Sequence, residues 1–378
     1  QYLLRVDIFC KARYKFVTTG IYQYMQERVK QNRMISLSIQ TLFEQLSERI
    51  ASNCKRFGHL FPNYGSGNQY VLKDNNNWLA AIWPGLLWLC ATQGNLGFLF
   101  SLSARAQWQM TGDPAARQLA LRAADLLLAR YREPGGYIQA WGQVGDAHEG
   151  GRIIADTMMN IPLLFWATEQ TQNGRYHAAA ASHARKSQKH LMRSDGSTYH
   201  AFFFDQTTGK PLVARTHQGF GDDSLWARGQ AWVIYGFALA AQWCHDHSFL
   251  ETAQAAANCF LQELPPDDVP LWDLRLPASE SPLRDSSASA IAACGLLRLA
   301  QLTGDANHAA QAERLVEALI THCLDTNAEA VGLLKHGALH IPKGWAPDDY
   351  LIFGDYFFME ALLTLQGKNP DFWGPTGQ

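Results

Sequence analysis

The sequence predicts an all-α fold, an (α/α)6 barrel or toroid built from helical hairpins. Turn signals rich in Gly, Asp and Asn recur about 60 to 73 residues apart. An apolar helical segment precedes each turn, and an Ala-rich amphipathic segment follows each of the first four. Strand signals are confined to three short connections, residues 136–141, 198–204 and 270–274. Because the inner helices are too apolar for an exposed concave face, the sequence favours a closed ring over an open solenoid.

The first 33 residues differ from the rest of the chain. They are basic and aromatic, and Met34 stands just before the first amphipathic helix, predicted over residues 37–54. We therefore interpret residues 1–33 as an N-terminal extension outside the fold, and residues 34–378 as a single α/α toroid domain of catalytic type.

The hairpin turns follow in order along the domain. They are predicted at residues 111–114, 171–174, 244–247, 303–306 and 366–369. The period fails once: residues 88–95 resemble the end of an inner helix with its turn, yet the next turn begins only about 19 residues later. One outer helix is therefore predicted to be missing after the first inner helix.

Composition excludes several classes of function. The net charge of -2 gives no electrostatic reason to expect nucleic acid or an anionic membrane as a partner. Seven scattered cysteines, without metal-ligand spacing, predict reduced core thiols and a cytoplasmic location. We expect no metal and no organic cofactor, no transmembrane segment, and a monomer or a weak homo-oligomer.

One carboxylate dominates the search for chemistry. Gly150 and Gly151 precede an apolar run that is predicted to be helical as far as Trp166, and this run carries Asp156. An acid among oily side chains is costly to bury unless it is paired, hydrogen-bonded or protonated. Two interpretations remain open: an Asp satisfied by a neighbouring Thr or Asn, or a proton donor with a raised pKa facing a cleft.

Polar and aromatic residues cluster in four connections, residues 139–142, 199–202, 216–219 and 224–232. Trp faces stack on sugar rings, while Arg, Gln and His hydrogen-bond hydroxyls or a carboxylate. Each Trp alone also fits core packing, but together with Asp156 they indicate a cleft for an acidic carbohydrate. His183 and His190, on a polar helix predicted over residues 175–192, indicate a solvated face rather than a metal site.

From about Leu37 to its C-terminus the chain resembles the unsaturated glucuronyl hydrolases. These glycosidases have an (α/α)6 barrel and act on the unsaturated uronic acid that polysaccharide lyases leave, as in glycosaminoglycan degradation. The segments that carry the resemblance are residues 70–75, 97–104, 150–156, 216–219, 226–232 and 284–290.

The resemblance implies a role for particular residues. Asp156 matches the general acid/base of the family. The residues that match its sugar site are Trp78, Trp141, His200, Gln218, Trp226, Arg228 and Trp232. In the implied reaction the acid protonates C4 of a C4=C5 enol ether, water adds at C5, and the hemiketal opens to release the partner sugar.

The chain departs from the family at a second catalytic position. Gly94 and Asn95 stand where the family has His-Asp, and an Asn cannot carry the charge of that carboxylate. This predicts binding that survives better than turnover, at a cost of about 1.5–3 kcal/mol for a lost charge-assisted bond. Two alternatives stay open: a catalytically silent carbohydrate-binding toroid, and a related unsaturated rhamnogalacturonyl hydrolase.

Overall fold

The computed structural model describes residues 39–53, 56–58, 60–67, 69–74, 82, 86, 104–141, 146, 150–327 and 329–376. The chain divides into two compact units, residues 1–47 and 48–378. In the first unit the described residues, 39–47, are helical. The predicted N-terminal extension lies outside the described residues, as do residues 88–103, where an outer helix is predicted to be missing; both stay predictions.

Helices make up most of the described chain. Helix α1 covers residues 39–53. The helices that follow are α2 (Ala104–Thr111), α3 (Pro114–Leu128), α4 (Pro162–Thr171), α5 (Gly174–His190), α6 (Ala227–Cys244), α7 (His247–Gln262), α8 (Ser286–Thr303), α9 (Ala306–His322) and α10 (Ile352–Leu365). From α2 to α9 they pack as consecutive pairs, and α10 packs on α8. This pairing confirms the predicted helical hairpins.

The four hairpin turns share one local geometry. Each contains a residue in the left-handed conformation: Gly112, Gln172, His245 and Gly304. Each next residue caps the following helix with its side chain, which accepts a hydrogen bond from the backbone N–H two residues on: Asp113, Asn173, Asp246 and Asp305. Gly, Asp and Asn are the residues that this geometry favours, so the turn signals in the sequence have a direct physical basis.

The inner and outer helices differ in burial, as the sequence predicts. Helix α6 is buried at every position from Ala227 to Ala241, and α8 and α10 are nearly as enclosed. Helices α3, α5, α7 and α9 each bury one face, and alanines contribute to each of these faces. A helix that is apolar all round needs partners on every side, whereas an amphipathic helix can cover it and still face water.

Strands occupy the connections. The described strands are β1 (Phe61–Ser66), β2 (Gln69–Lys73), β3 (Tyr131–Arg132), β4 (Tyr137–Ile138), β5 (Arg152–Ile154), β6 (Ala201–Phe204) and β7 (Pro211–Arg215). They form the antiparallel pairs β1–β2 and β3–β4, and an antiparallel sheet in the order β5-β6-β7. The predicted confinement of strands to three segments is wrong, because β1, β2, β3, β5 and β7 lie elsewhere. Residues 270–274 make isolated bridges, to Arg284 and Trp226.

The helix predicted to follow Gly150 and Gly151 as far as Trp166 is wrong over its first part. Its first part is strand β5, followed by a 3-10 turn, Ala155–Met159, and α4 begins only at Pro162. The β-branched side chains of Ile153 and Ile154 suit a strand, and pairing with β6 satisfies their backbone. Pro162 at the first position of α4 is a helix-start signal that the sequence already contains.

The structure also corrects the interpretation of His183. Its ring is fully buried, and Nδ1 accepts a hydrogen bond from the Ile138 N–H at 3.0 Å. Burial lowers the pKa of His183 to about 3, so the ring stays neutral and ties α5 to β4. His183 is therefore part of the core rather than of a solvated face.

Candidate active site

The position of Asp156 follows from the pairing of β5 with β6. Ile154 pairs with Ala201, and the Ala155 N–H donates to the His200 carbonyl at 3.0 Å. This antiparallel register brings the next residue, Asp156, beside the His200 ring: its Oδ2 lies 3.9 Å from His200 Nε2. Strand pairing between segments about 45 residues apart in the sequence thus builds the first contact of the site.

The Asp156 carboxyl group is only partly enclosed. About 30% of its side-chain surface is exposed, but Oδ2 is buried and has no hydrogen-bond partner among the described residues. Burial raises the pKa of Asp156 to about 6, while the positive charge of Arg228 opposes this rise. A carboxyl group in this state can hold a proton at mildly acidic pH and present it to a ligand that contacts its exposed part.

His200 is held as one tautomer. Its Nδ1 accepts hydrogen bonds from the backbone N–H groups of His217 and Gln218, at 3.0 and 3.1 Å. Burial, together with the nearby His217, Arg228 and His340, lowers the pKa of His200 to about 3. The ring is therefore neutral, its proton is assigned to Nε2, and that N–H faces Asp156.

Trp226 packs against the His200 ring. Their ring centroids are 4.3 Å apart, and the Trp226 side chain is 4% exposed. Gly229, one turn along α6, leaves room for the indole, since a Cβ there would lie 2.7 Å from Trp226 Cε3. Gly236 likewise lets α6 approach the 3-10 turn of Asp156, because a Cβ there would lie 2.4 Å from the Cβ of Met158. Small residues on α6 thus bring helix, indole and acid together.

Arg228 differs from the expected open sugar ligand. Its side chain is buried, and Nη1 forms an ion pair with Asp285 and donates to the Ala338 carbonyl at 2.7 Å. Nη2 donates to the Leu339 carbonyl at 2.7 Å, and the guanidinium lies 4.7 Å from the centre of the Trp226 ring. The structure therefore gives Arg228 several bonds within the protein, beside the acid that its charge influences.

Gln218 and Arg228 bind the same loop, which we call the 336–349 hairpin. Backbone bridges join Gly337 to Asp349 and His340 to Trp345. Gln218 Nε2 donates to the Leu339 carbonyl at 2.8 Å, the same oxygen that Arg228 uses. Gln218 thus joins the site through both its backbone and its side chain.

A row of aromatic rings continues outward from His200. Trp141 lies 5.4 Å from His217, His217 lies 5.0 Å from His340, and His340 lies 5.7 Å from Trp345, measured between ring centroids. Both ring nitrogens of His340 are buried without a hydrogen-bond partner among the described residues. His217 lies in a predicted connection, but nothing in the sequence singles it out as a site residue. His340 is not predicted from the sequence, because a single His in an apolar context gives no signal.

Three other predicted residues stand apart. Trp232 is further along α6 and packs on Phe353 and Phe357 of α10, where it is 5% exposed. Trp78 and Asn95 lie outside the described residues, so their predicted roles stay predictions. The structure brings together Asp156, His200, Gln218, Trp226 and Arg228, with Trp141 joined through His217.

The family model and the relatives that match this chain indicate the same protein family. The model of Glycosyl Hydrolase Family 88 matches residues 95–364. The chain is 42% identical to the unsaturated glucuronyl hydrolase of Bacillus sp. (strain GL1), over 87% of this chain and 97% of that protein. It is 35% identical to an unsaturated chondroitin disaccharide hydrolase of Streptococcus pyogenes serotype M1, over 86% of this chain and 90% of that protein.

The structural comparison agrees with this family. The crystal structure of the unsaturated glucuronyl hydrolase from Bacillus sp. GL1, described as responsible for the degradation of glycosaminoglycan, matches with a TM-score of 0.86 and 41% identity. The match covers 90% of this chain and all of that one. Together with the observed helical hairpins, it confirms the predicted all-α fold of the α/α toroid class.

Proposed function

Because the chain belongs to glycosyl hydrolase family 88, we propose that it removes the 4,5-unsaturated uronic acid from lyase-generated oligosaccharides by hydrating the enol ether. The observation that carries this proposal is the Asp156 carboxyl group, with its pKa raised to about 6 and the neutral His200 at 3.9 Å. Relatives named for glucuronyl and chondroitin disaccharide substrates support the same class of substrate.

The proposed reaction uses one carboxyl group twice. Asp156 donates its proton to C4 of the double bond, and the C5 cation that forms accepts a water molecule. The carboxylate takes a proton from that water, so Asp156 ends protonated as it began. The hemiketal at C5 opens to a ketone and leaves a hemiacetal at C1. This hemiacetal collapses to an aldehyde, its C1–O bond breaks, and the partner sugar leaves with the hydroxyl proton. Paired carboxylates of the usual glycosidase spacing are not needed for this chemistry.

The other site residues receive matching roles. We propose that Trp141 and Trp226 stack on the sugar, and that His200 donates from Nε2 toward Asp156 or a substrate hydroxyl. Gln218 and Arg228 hold the 336–349 hairpin through the Leu339 carbonyl, and we propose that this hairpin borders the bound sugar.

The test follows the enol ether directly. The purified chain is incubated with an unsaturated glycosaminoglycan- or gellan-derived disaccharide, and loss of enol-ether absorbance is measured. We expect loss with the native chain and none with Asp156→Asn. Retained turnover in Asp156→Asn would refute the assigned role of that residue. Binding by calorimetry without turnover would favour the silent carbohydrate-binding toroid, the alternative that Asn95 supports.

Asn95 gives a second prediction. If a missing carboxylate at this position limits turnover, Asn95→Asp should raise kcat by about 10- to 100-fold, the equivalent of 1.5–3 kcal/mol. Steady-state kinetics on the same disaccharide measures this, with Asn95→Ser as a polar but uncharged control. An equal rate in Asn95→Asp and the native chain would place the limitation elsewhere.

Compartment and assembly complete the proposal. We propose a cytoplasmic enzyme, because Cys244, Cys259, Cys294 and Cys323 are free thiols, as a reducing compartment maintains them. Within the described ranges, no helix has the length and hydropathy to cross a membrane. A monomer or weak homo-oligomer is expected, and sedimentation velocity over a range of concentrations would measure it.

A further inference from the structure

A buried carboxylate lies next to the site without touching Asp156. Asp285 is fully buried, at the position just before helix α8. An Asp at this position usually accepts a bond from the backbone of its own helix, but Asp285 makes no such cap. One oxygen pairs with Arg228 instead. The other accepts from the Ser287 hydroxyl at 2.5 Å and, at 3.5 Å, from the Ala338 N–H of the 336–349 hairpin.

Arg228, the partner of Asp285, is held by further hydrogen bonds. Arg228 is 2% exposed, and besides the ion pair it donates to the Ala338 and Leu339 carbonyls, both at 2.7 Å. These bonds fix the guanidinium against the 336–349 hairpin. An uncompensated buried cation would be costly, so Asp285 is the group that makes this position of Arg228 possible.

Arg228 is also the charged side chain that acts on Asp156 and opposes its raised pKa. Histidines on neighbouring elements are the nearest other titratable groups, and β5 carries Arg152, whose guanidinium packs on Trp141 and Phe203. His200 lies at 3.9 Å, and burial lowers its pKa to about 3. Beyond it, the pKa of His340 is lowered to about 4, chiefly by burial, and His217 contacts both rings. Helix α5, which packs on the 3-10 turn, carries the neutral, buried His183.

We propose that Asp285 is a positioning residue for the reaction: it holds Arg228 on the 336–349 hairpin and compensates its charge, so that Asp156 keeps the proton it donates. The inference rests on the proposed function in giving Asp156 the role of acid. It assigns Asp285 no contact with the substrate. The effect of Asp285 on Asp156 passes through Arg228. If Asp285 only stabilised the fold, its replacement would not shift the titration of Asp156.

The test titrates Asp156 without turnover. Infrared difference spectroscopy follows the carbonyl stretching band of the protonated carboxyl group, and Asp156→Asn identifies which band belongs to Asp156. In Asp285→Asn, a released and uncompensated Arg228 should lower the titration midpoint by about 1 pH unit or more, the effect of a nearby opposite charge. In Arg228→Gln the midpoint should rise. In the double variant Asp285→Asn/Arg228→Gln the midpoint should equal that of Arg228→Gln, since Asp285 acts through Arg228.

Asp273 supplies a matched control. It is as buried as Asp285 and accepts from the Ser224 hydroxyl at 2.6 Å and from the Phe220 and Leu225 N–H groups. It holds a neighbouring loop but makes no bond to Arg228 in the described contacts. Asp273→Asn should therefore leave the Asp156 midpoint where it is, whatever it does to thermal stability.

Other outcomes decide against the proposal. An unchanged or higher midpoint in Asp285→Asn overturns it, as does an equal shift with and without Arg228. If Asp285→Asn alone does not fold, Arg228→Gln and the double variant decide, because removing both charges avoids an unpaired one. The proposal is then supported if the Asp156 midpoint is higher than in the native chain, and by the same amount, in Arg228→Gln and in the double variant. An unchanged midpoint in Arg228→Gln refutes it. Absence of turnover would refute the proposed function but would leave this titration valid.

Discussion

At the scale of single residues, the chemistry depends on the protonation of two neighbouring groups. Burial shifts their two pKa values in opposite directions: it raises the pKa of Asp156 to about 6 and lowers that of His200 to about 3. Both shifts favour the neutral form, as desolvation requires. Between these values, a protonated acid faces a neutral imidazole, the state in which Asp156 can donate a proton.

The pH dependence of turnover follows from this arrangement. Because the first step needs protonated Asp156, kcat should fall as the pH rises above about 6. His200→Gln should lower the rate but leave this alkaline limb in place, since His200 does not titrate there. Profiles of kcat against pH for both proteins measure this. A limb that disappears in His200→Gln would identify the histidine, rather than Asp156, as the titrating group.

At the scale of elements, the close approach of β5 and β6 positions the acid. Gly151 has φ +72°, and a Cβ there would lie 2.5 Å from the Phe204 carbonyl oxygen. The Phe204 N–H in turn donates to the Gly151 carbonyl at 2.6 Å. Any side chain at residue 151 would therefore push β6 away from β5 and move His200 from Asp156.

A pair of glycine substitutions tests this. Gly112 also has a positive φ, +71°, but a Cβ there meets nothing within 4 Å. Gly112→Ala should cost only the backbone strain, about 1–2 kcal/mol. Gly151→Ala should add overpacking, for a total of about 2–5 kcal/mol, and should also reduce kcat. Urea unfolding and steady-state kinetics measure both. Equal losses of stability at the two positions would show that β5 and β6 adjust freely.

At the scale of the whole second unit, the C-terminal segment, residues 369–376, links five helices. Its contacts reach Arg105 of α2, Glu169 of α4, Trp243 of α6, Arg298 of α8 and Glu360 of α10. Trp373 is central: its ring stacks on Phe357, and Nε1 donates to Glu360 at 2.8 Å. Helix pairs distant in sequence are thereby held together at one place.

Trp373→Ala should therefore lower the free energy of unfolding by about 3 kcal/mol, through lost packing and a buried carboxylate oxygen that loses its donor. Trp345 is the matched control, because it is 53% exposed on the 336–349 hairpin. Trp345→Ala should change stability by no more than about 0.5 kcal/mol. Chemical denaturation of the two variants compares them. Similar losses would mean that the C-terminal segment contributes little to the stability of the unit.

The sequence by itself determined what depends on neighbours along the chain. The hairpin turns are predicted correctly because left-handed Gly and capping Asp or Asn act within a few residues. Burial of α6 from Val233 to Ala241 follows from the apolar composition of that stretch. Asp156 and His200 were selected through family resemblance and a cluster of polar and aromatic residues, and the structure places them 3.9 Å apart.

Only the tertiary structure decided what depends on distant segments. The residues around Asp156 form a strand and a 3-10 turn because β6 supplies partners for their backbone. Arg228 binds Asp285, 57 residues away, and the Ala338 carbonyl, 110 residues away. Periodicity and capping encode local conformation, whereas a register or an ion pair across such separations is set when the helices pack. For this reason the sequence identifies the acid, and the fold determines the charges that surround it.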